Sequence, residues 1–224
     1  MIPMAVSVDS LFSLLDGLPL SGWGVSDVWE DTSPRFRNAV CLLQAYHYPL
    51  ENYSPFDFHE FLLNRVKPAL DANVRAVADF LEKKDVSFHI VTNQRKNSLL
   101  LTGEYSQKRA AARAGLGWIG KNTLLINPQF GPRIRLATIL TDCDLPTSPA
   151  AKLPGCGYCA ICVDCCPSMS LKNKNWESGG SREDMIDIDR CRETNDAIAG
   201  CICGVCLLAC PIGKENSLSE NVVR

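Results

Sequence analysis

The sequence predicts an α+β domain followed by a small cysteine-rich module. Three observations carry that prediction. Apolar residues recur at helical spacing through Phe58, Phe61, Leu62, Val66, Leu70, Val74, Val77, Phe80 and Leu81, near-continuous apolar runs such as residues 38–46 read as buried strands, and ten of the twelve cysteines fall within residues 156–212. The 224 residues suffice for one core of roughly 120 to 160 residues plus a smaller module. Apolar residues at 46% and charged residues at 21% are ordinary for a globular chain. A net charge of −2 supplies no global positive field to attract nucleic acid or an anionic membrane.

In chain order, Val8 to Leu15 is amphipathic and predicts a helix ending near Gly17. Asn38–Tyr46 predicts a buried strand, and Phe56–Lys84 a long core-covering helix interrupted at most by Pro68. A strand over Val86–Thr92, an Ala- and Arg-rich helix over Ser106–Ala114, and strands over Thr123–Asn127 and Arg133–Thr141 complete the first domain, expected over residues 1–145. The two last strands are joined by a turn at residues 128–132. Prolines at 146, 149 and 154 predict a linker into a second domain, expected over residues 146–224.

The first basic residue is Arg35, and no apolar run reaches the 18 residues of a membrane span, so a cytoplasmic location without membrane contact is expected. Cytosolic thiols stay reduced, which makes ligation a better account of so many cysteines than a disulfide framework. Cys156, Cys159, Cys162 and Cys166-Pro167 form C-x2-C-x2-C-x3-C-P, the bacterial ferredoxin run for [4Fe–4S] clusters, in which the fourth cysteine ligates the other cluster. Cys203, Cys206 and Cys210-Pro211 repeat its ending, with Cys191 upstream as the candidate eighth ligand. Structural zinc is the alternative, but its paired C-x2-C knuckles do not match this run. Cys165 and Cys201 read as bystanders, Cys41 as a buried small hydrophobe and Cys143 as unligated.

Gly115, Gly117, Trp118, Gly120, Lys121 and Asn122 form a second concentrated signal. It matches two phosphate-binding patterns on paper, yet a helix precedes it and a strand follows, the reverse of a dinucleotide fold, and Asn122 stands where a P-loop needs Ser or Thr. The glycines permit close backbone approach to a flat ligand, or a tight helix-to-strand turn with Trp118 in the core. His59 begins a D-x-H-x-x-G-like pattern with Leu62 in the glycine position, while His47 and His89 read as structural.

From Arg109 through the glycine loop and Leu140-Thr141-Asp142 to the cysteines, the chain resembles the epoxyqueuosine reductase family and its iron–sulfur/corrinoid relatives, which include reductive dehalogenases. The resemblance implies an N-terminal cobalamin-processing or nitroreductase-like α+β domain and a ferredoxin-like double-cluster domain. Its cofactors would be two [4Fe–4S] clusters and a cobalamin held without a histidine ligand. One cluster would take Cys156, Cys159, Cys162 and Cys210, the other Cys166, Cys191, Cys203 and Cys206, and the loop would line the corrin. Flavin in place of cobalamin is a further alternative, by fold analogy.

The chain departs from the family pattern in three places. Leu101 occupies the position of the family's catalytic Asp, which leaves Glu104 as the nearest candidate carboxylate, and Ile202 stands where Gly is frequent. The helical-repeat extension that aids tRNA binding is missing, so tRNA is not expected as a partner. The expectation is therefore a reductase that passes electrons from a donor such as ferredoxin or flavodoxin through its clusters to a corrinoid acting on a small substrate, with a non-catalytic electron carrier as the alternative.

Overall fold

The computed structural model describes residues 7–28, 36–49, 53–92, 105–149, 153–215 and 221–224. The chain forms two compact units, each drawn from three separate segments: 1–44, 69–116 and 135–151 make the first, and 45–68, 117–134 and 152–224 the second. A single cut near residue 145 was expected. Instead, segments 45–68 and 117–134 are counted with the cysteine-rich C-terminal part.

The first unit is built on a four-stranded sheet in the order β1-β2-β6-β3. Strand β2 (Asn38–Ala45) is buried along all eight residues, as its apolar run predicts for a central strand. It pairs antiparallel with β1 (Gly22–Asp27), while β3 (Phe88–Ile90) pairs antiparallel with β6 (Ile134–Thr141). Val25, Val40, Leu42 and Ile139 from the strands meet Leu11 and Leu15 of α1 (Val8–Gly17) and Leu70, Val74, Val77 and Leu81 of α3 (Lys67–Lys83) in one core. The α3 residues recur at helical spacing, so one stripe of the helix is removed from water, each side chain contributing about 1.5–3 kcal/mol.

Two buried amides interrupt this apolar set and satisfy each other. Asn73 Nδ2 donates to Gln44 Oε1 at 3.5 Å, and Gln44 Nε2 donates to Ser21 Oγ at 3.4 Å. Helix α4 (Gln107–Arg113) is capped by Ser106, whose Oγ accepts from Arg109 N–H, and it packs against β1. The proline-rich stretch expected to be a free linker is tied down at Ser148, whose N–H donates to the Val25 carbonyl at 2.8 Å and whose hydroxyl accepts from Val25 N–H at 2.9 Å.

In the second unit, α2 (Pro55–Phe61) begins at Ser54, which accepts from Asp57 N–H, with Pro55 in the first turn where its missing N–H costs nothing. The long helix is then interrupted before Pro68, by a π-helical turn over Leu62–Val66. A proline ring cannot approach the carbonyl four residues back, and widening the preceding turn relieves that clash. Phe58, Leu62 and Val66 pack with Tyr46 and with Leu208 of α7 (Val205–Leu208).

A two-stranded hairpin joins β4 (Trp118–Ile119) to β5 (Leu125–Ile126). The expected strand over Thr123–Asn127 shrinks to β5 because Thr123, at φ 61°, belongs to the turn. The short helices α5 (Ile161–Asp164) and α6 (Ile188–Ala197) complete the unit. No helix among the described residues is long and apolar enough to cross a membrane.

Cys41, fully buried in β2, has its thiol pushed up to about 12 by desolvation, an effect partly opposed by Thr138. Because the thiolate is the reactive form, Cys41 should resist iodoacetamide in the folded protein at pH 8 and react only after denaturation, a difference that mass spectrometry of the labelled peptide resolves.

Candidate metal centre

The second unit gathers nearly all of the sulfur. Cys156, Cys159, Cys162 and Cys210 line one cleft of about 420 Å³, open in part to solvent, together with Trp118, Asn122, Ile126 and Ile212. The loop carrying the first three turns at Gly157, where Cys159 N–H donates to the Cys156 carbonyl at 3.1 Å, and then enters α5, which starts at Ile161 and holds Cys162 one residue in. Burial, followed by repulsion from Cys156 and Cys210, pushes the Cys162 thiol up to about 11. Burial also raises Cys210, whereas the Ile212 amide and the Arg133 guanidinium pull it down.

A second group forms around Cys206, at the second position of α7. Its thiol is raised first by burial and then by Cys166, Cys162, Cys191 and Cys203. Cys191 on α6 is raised in the same way, by burial and then by Cys166 and Cys203. Cys166 differs: burial alone would raise it, but Ser168 and Ser170 outweigh that and bring it down to about 7. Its Sγ lies 3.2 Å from Ser168 Oγ and 3.5 Å from Ser170 Oγ. Hydroxyls so placed favour the thiolate, the form that ligates metal.

Among the described residues, no three His, Cys, Asp or Glu side chains converge closely enough to hold a single metal ion. All twelve cysteines are free thiols. Cys165 donates to the Cys162 carbonyl at 3.6 Å and Cys201 is buried, while Cys143 is raised by burial and by Asp142 and Asp144.

Residues outside the cysteine motifs hold this framework in place. Arg133, only 6% exposed, donates through Nη1 to the Cys210 carbonyl at 3.0 Å and through Nη2 to the Ile212 carbonyl, clamping the turn that follows Cys210. Asn122 Nδ2 donates to the Cys206 carbonyl at 3.2 Å. Asn195 of α6 accepts from Cys203 N–H at 3.0 Å, which links the strand of chain at Cys203 to the helix that carries Cys191. The Tyr53 hydroxyl donates to the Cys203 carbonyl, and His59 Nδ1 accepts from Ile202 N–H at 3.3 Å, so His59 acts as a structural acceptor. Gly204, at φ 66°, starts α7 in the left-handed region, and a Cβ there would run into the Phe58 ring.

The glycine loop is placed differently from a free ligand cradle. A Cβ on Gly117 would collide with the Ile126 carbonyl, and one on Gly120 would meet the Ile126 side chain at 2.6 Å, so both glycines serve the closeness of β4 to β5. Lys121 is buried and its Nζ donates to Asn173 Oδ1 at 2.9 Å. Trp118 and Asn122 face the first cysteine group. Gly115 follows α4 and is counted with the first unit. Glu104 and Leu101 lie outside the described residues. Sequence reading missed Arg133, Tyr53 and Asn195, since an isolated polar residue has no spacing that marks it as a brace.

No family model matches the chain. Among curated proteins it is similar to the epoxyqueuosine reductase of Listeria monocytogenes, with 46% identity over 78 residues, 34% of this chain and 20% of that protein. The epoxyqueuosine reductase of Atelocyanobacterium thalassa is 27% identical over 238 residues, 96% of this chain and 74% of that one. In the first relatives matched, the similar stretch covers only about a fifth of their length, 20% and 18%.

Among solved structures, an epoxyqueuosine reductase superposes with a TM-score of 0.67 at 17% identity, covering 95% of this chain and 67% of that one. Another, solved with a tRNA-Tyr stem loop carrying epoxyqueuosine, gives 0.65 at 18% identity over 94% and 66%. A reductive dehalogenase whose structure suggests a mechanism for B12-dependent dehalogenation gives 0.72 at 18% identity over 94% and 32%. The chain therefore has the mixed α/β fold of both groups, and the neighbour bound to RNA leaves the expectation of no tRNA partner without support.

Replacing Arg133 with Gln removes the clamp and takes the guanidinium partner from the buried Cys210 carbonyl and the part-buried Ile212 carbonyl, a cost of about 1–3 kcal/mol. The variant should melt at a lower temperature. Arg133→Lys should recover only part of this, because one ammonium cannot reproduce the two-armed grip, and melting curves of the two variants read the difference.

Proposed function

We propose, from the premise that the chain is an epoxyqueuosine reductase-like protein in sequence and fold, that it is an iron–sulfur reductase carrying two [4Fe–4S] clusters. The observation that supports this best is the grouping of eight cysteines, Cys156, Cys159, Cys162 and Cys210 lining one cleft, and Cys166 and Cys203 lying close enough to both Cys191 and Cys206 to raise those two thiols. Each set takes its members from both halves of the cysteine pattern, the crossed ligation that the ferredoxin run implies. Thiolates from short loops, hydroxyls at Cys166 and a buried guanidinium at Cys210 are the donor chemistry that a polynuclear iron site requires.

Such clusters take up and release single electrons. The chain's own part is to fix the cysteines through Arg133, Asn122 and Asn195. A ferredoxin-like module of this kind receives electrons from a donor such as ferredoxin or flavodoxin. Free thiols throughout the chain suit the reducing cytoplasm.

A cobalamin as the electron acceptor is supported by the likeness to epoxyqueuosine reductases and to a dehalogenase described as B12-dependent. Bound cobalamin would supply a strongly reducing cobalt centre. In the glycine loop proposed to line it, Lys121 and Asn122 both bond within the second unit, to Asn173 and to the Cys206 carbonyl, so no step is assigned to those residues. The substrate is either a small molecule or, as in the relatives named, an epoxide-bearing tRNA nucleoside. A carrier without a corrinoid is the second reading, favoured by Leu101 where the family has its catalytic Asp.

Anaerobic reconstitution should yield a brown protein with iron and sulfide for two cubanes and a reduced-state paramagnetic signal, while zinc or a colourless product would overturn the proposal. Cobalamin is then titrated, and a change in corrin absorbance with binding separates the reductase from the carrier. Reduction of an epoxyqueuosine-bearing stem loop against small organohalides identifies the substrate class.

A further inference from the structure

The cleft formed by Cys156, Cys159, Cys162 and Cys210 has ten lining residues, and two of them, Trp118 and Asn122, carry side-chain N–H donors. Asn122 already has partners: its Nδ2 donates to the Cys206 carbonyl and its Oδ1 accepts from Leu124 N–H at 3.2 Å. Trp118 does not. Its indole Nε1 is shielded from solvent and has no hydrogen-bond partner. Buried donors in folded proteins are paired almost without exception, so a lone indole N–H on a residue that lines a sulfur-bearing cleft calls for an acceptor.

The indole is also rigidly held. Trp118 pairs with Ile126 across the β4–β5 hairpin, and the closeness that forces Gly117 and Gly120 to be glycines fixes the strand bearing it. A donor already aligned loses little freedom when its acceptor arrives.

Resting on the two-cluster reading above, we propose that Trp118 Nε1–H is a hydrogen-bond donor to sulfur of the cluster held by Cys156, Cys159, Cys162 and Cys210, and that it raises that cluster's potential above the value the same cluster would have without the donor. Adding an electron makes the cluster more negative, so a donor to its sulfur stabilises the reduced state more than the oxidised one and raises the potential. Trp118 is a positioning and tuning residue; it exchanges neither electron nor proton.

The test uses the full chain, reconstituted anaerobically and titrated with dithionite under electron paramagnetic resonance. In Trp118→Phe, which keeps the ring and deletes the N–H, one reduction step should move to lower potential by up to tenfold in the equilibrium, about 59 mV for one electron, with the other step unmoved. In the unsubstituted protein labelled with indole-¹⁵N tryptophan, pulsed measurements should show a ¹⁵N coupling and an exchangeable proton at the reduced cluster. Both should vanish in the variant.

Full cluster content with unshifted potentials, or no ¹⁵N coupling in the unsubstituted protein, overturns the assignment while leaving the two-cluster reading intact. The coupling measurement decides the matter even where Trp118→Phe fails to fold. An unsubstituted protein that takes up no cluster at all sinks both.

Discussion

Buried sulfur needs positive charge. Cys206 and Cys191 lie among other thiols, and burial followed by repulsion from those neighbours pushes both thiols up. On the proposed reading a cationic core would replace the protons and stabilise the thiolates, which would couple the folding of this module to what it binds. The rest of the second unit is then a scaffold that keeps the sulfur atoms gathered.

The scaffold comes largely from outside the cysteine motifs. Residues 45–68 bring Phe58 and Tyr53, residues 117–134 bring Trp118, Asn122 and Arg133, and all are counted in the same compact unit as the cysteines. Their contacts fall on the backbone beside the sulfur-bearing residues: Tyr53 at the Cys203 carbonyl, Asn122 at that of Cys206 and Arg133 at that of Cys210. Holding carbonyls fixes the position of each Cα while leaving the thiol free to ligate. The C-terminal residues join in, with Val223 bridging to Tyr46 through the Ala45 carbonyl and the His47 N–H.

Elements with a strong repeating pattern were legible in the sequence. The helical stripe of α3, the unbroken burial of β2 and the cap-to-stop course of α1 all follow from spacing alone, because each buries one continuous face. Strand β1 was not legible, since Gly22 and Gly24 lower its strand propensity and its pairing with β2 supplies the order instead. The π turn was not legible either, being a response to Pro68 rather than a preference of Leu62–Val66. The cysteine spacing was readable because ligation imposes a geometry on sequence separation. The interleaving of the two units was not, since contacts between distant segments leave no local periodicity.

The glycine loop shows how one local pattern can answer to two constraints. Close approach of a flat ligand and close approach of a neighbouring strand both require the absence of a Cβ, so the sequence left both open. At Gly117 and Gly120 the space is taken by Ile126, which satisfies the second constraint in full. What the tight hairpin then accomplishes is to fix the backbone that carries Trp118, a residue that lines the sulfur-bearing cleft and whose indole N–H is buried without a partner. On the proposed reading the glycines would act on a cluster through the rigidity of that backbone rather than through contact.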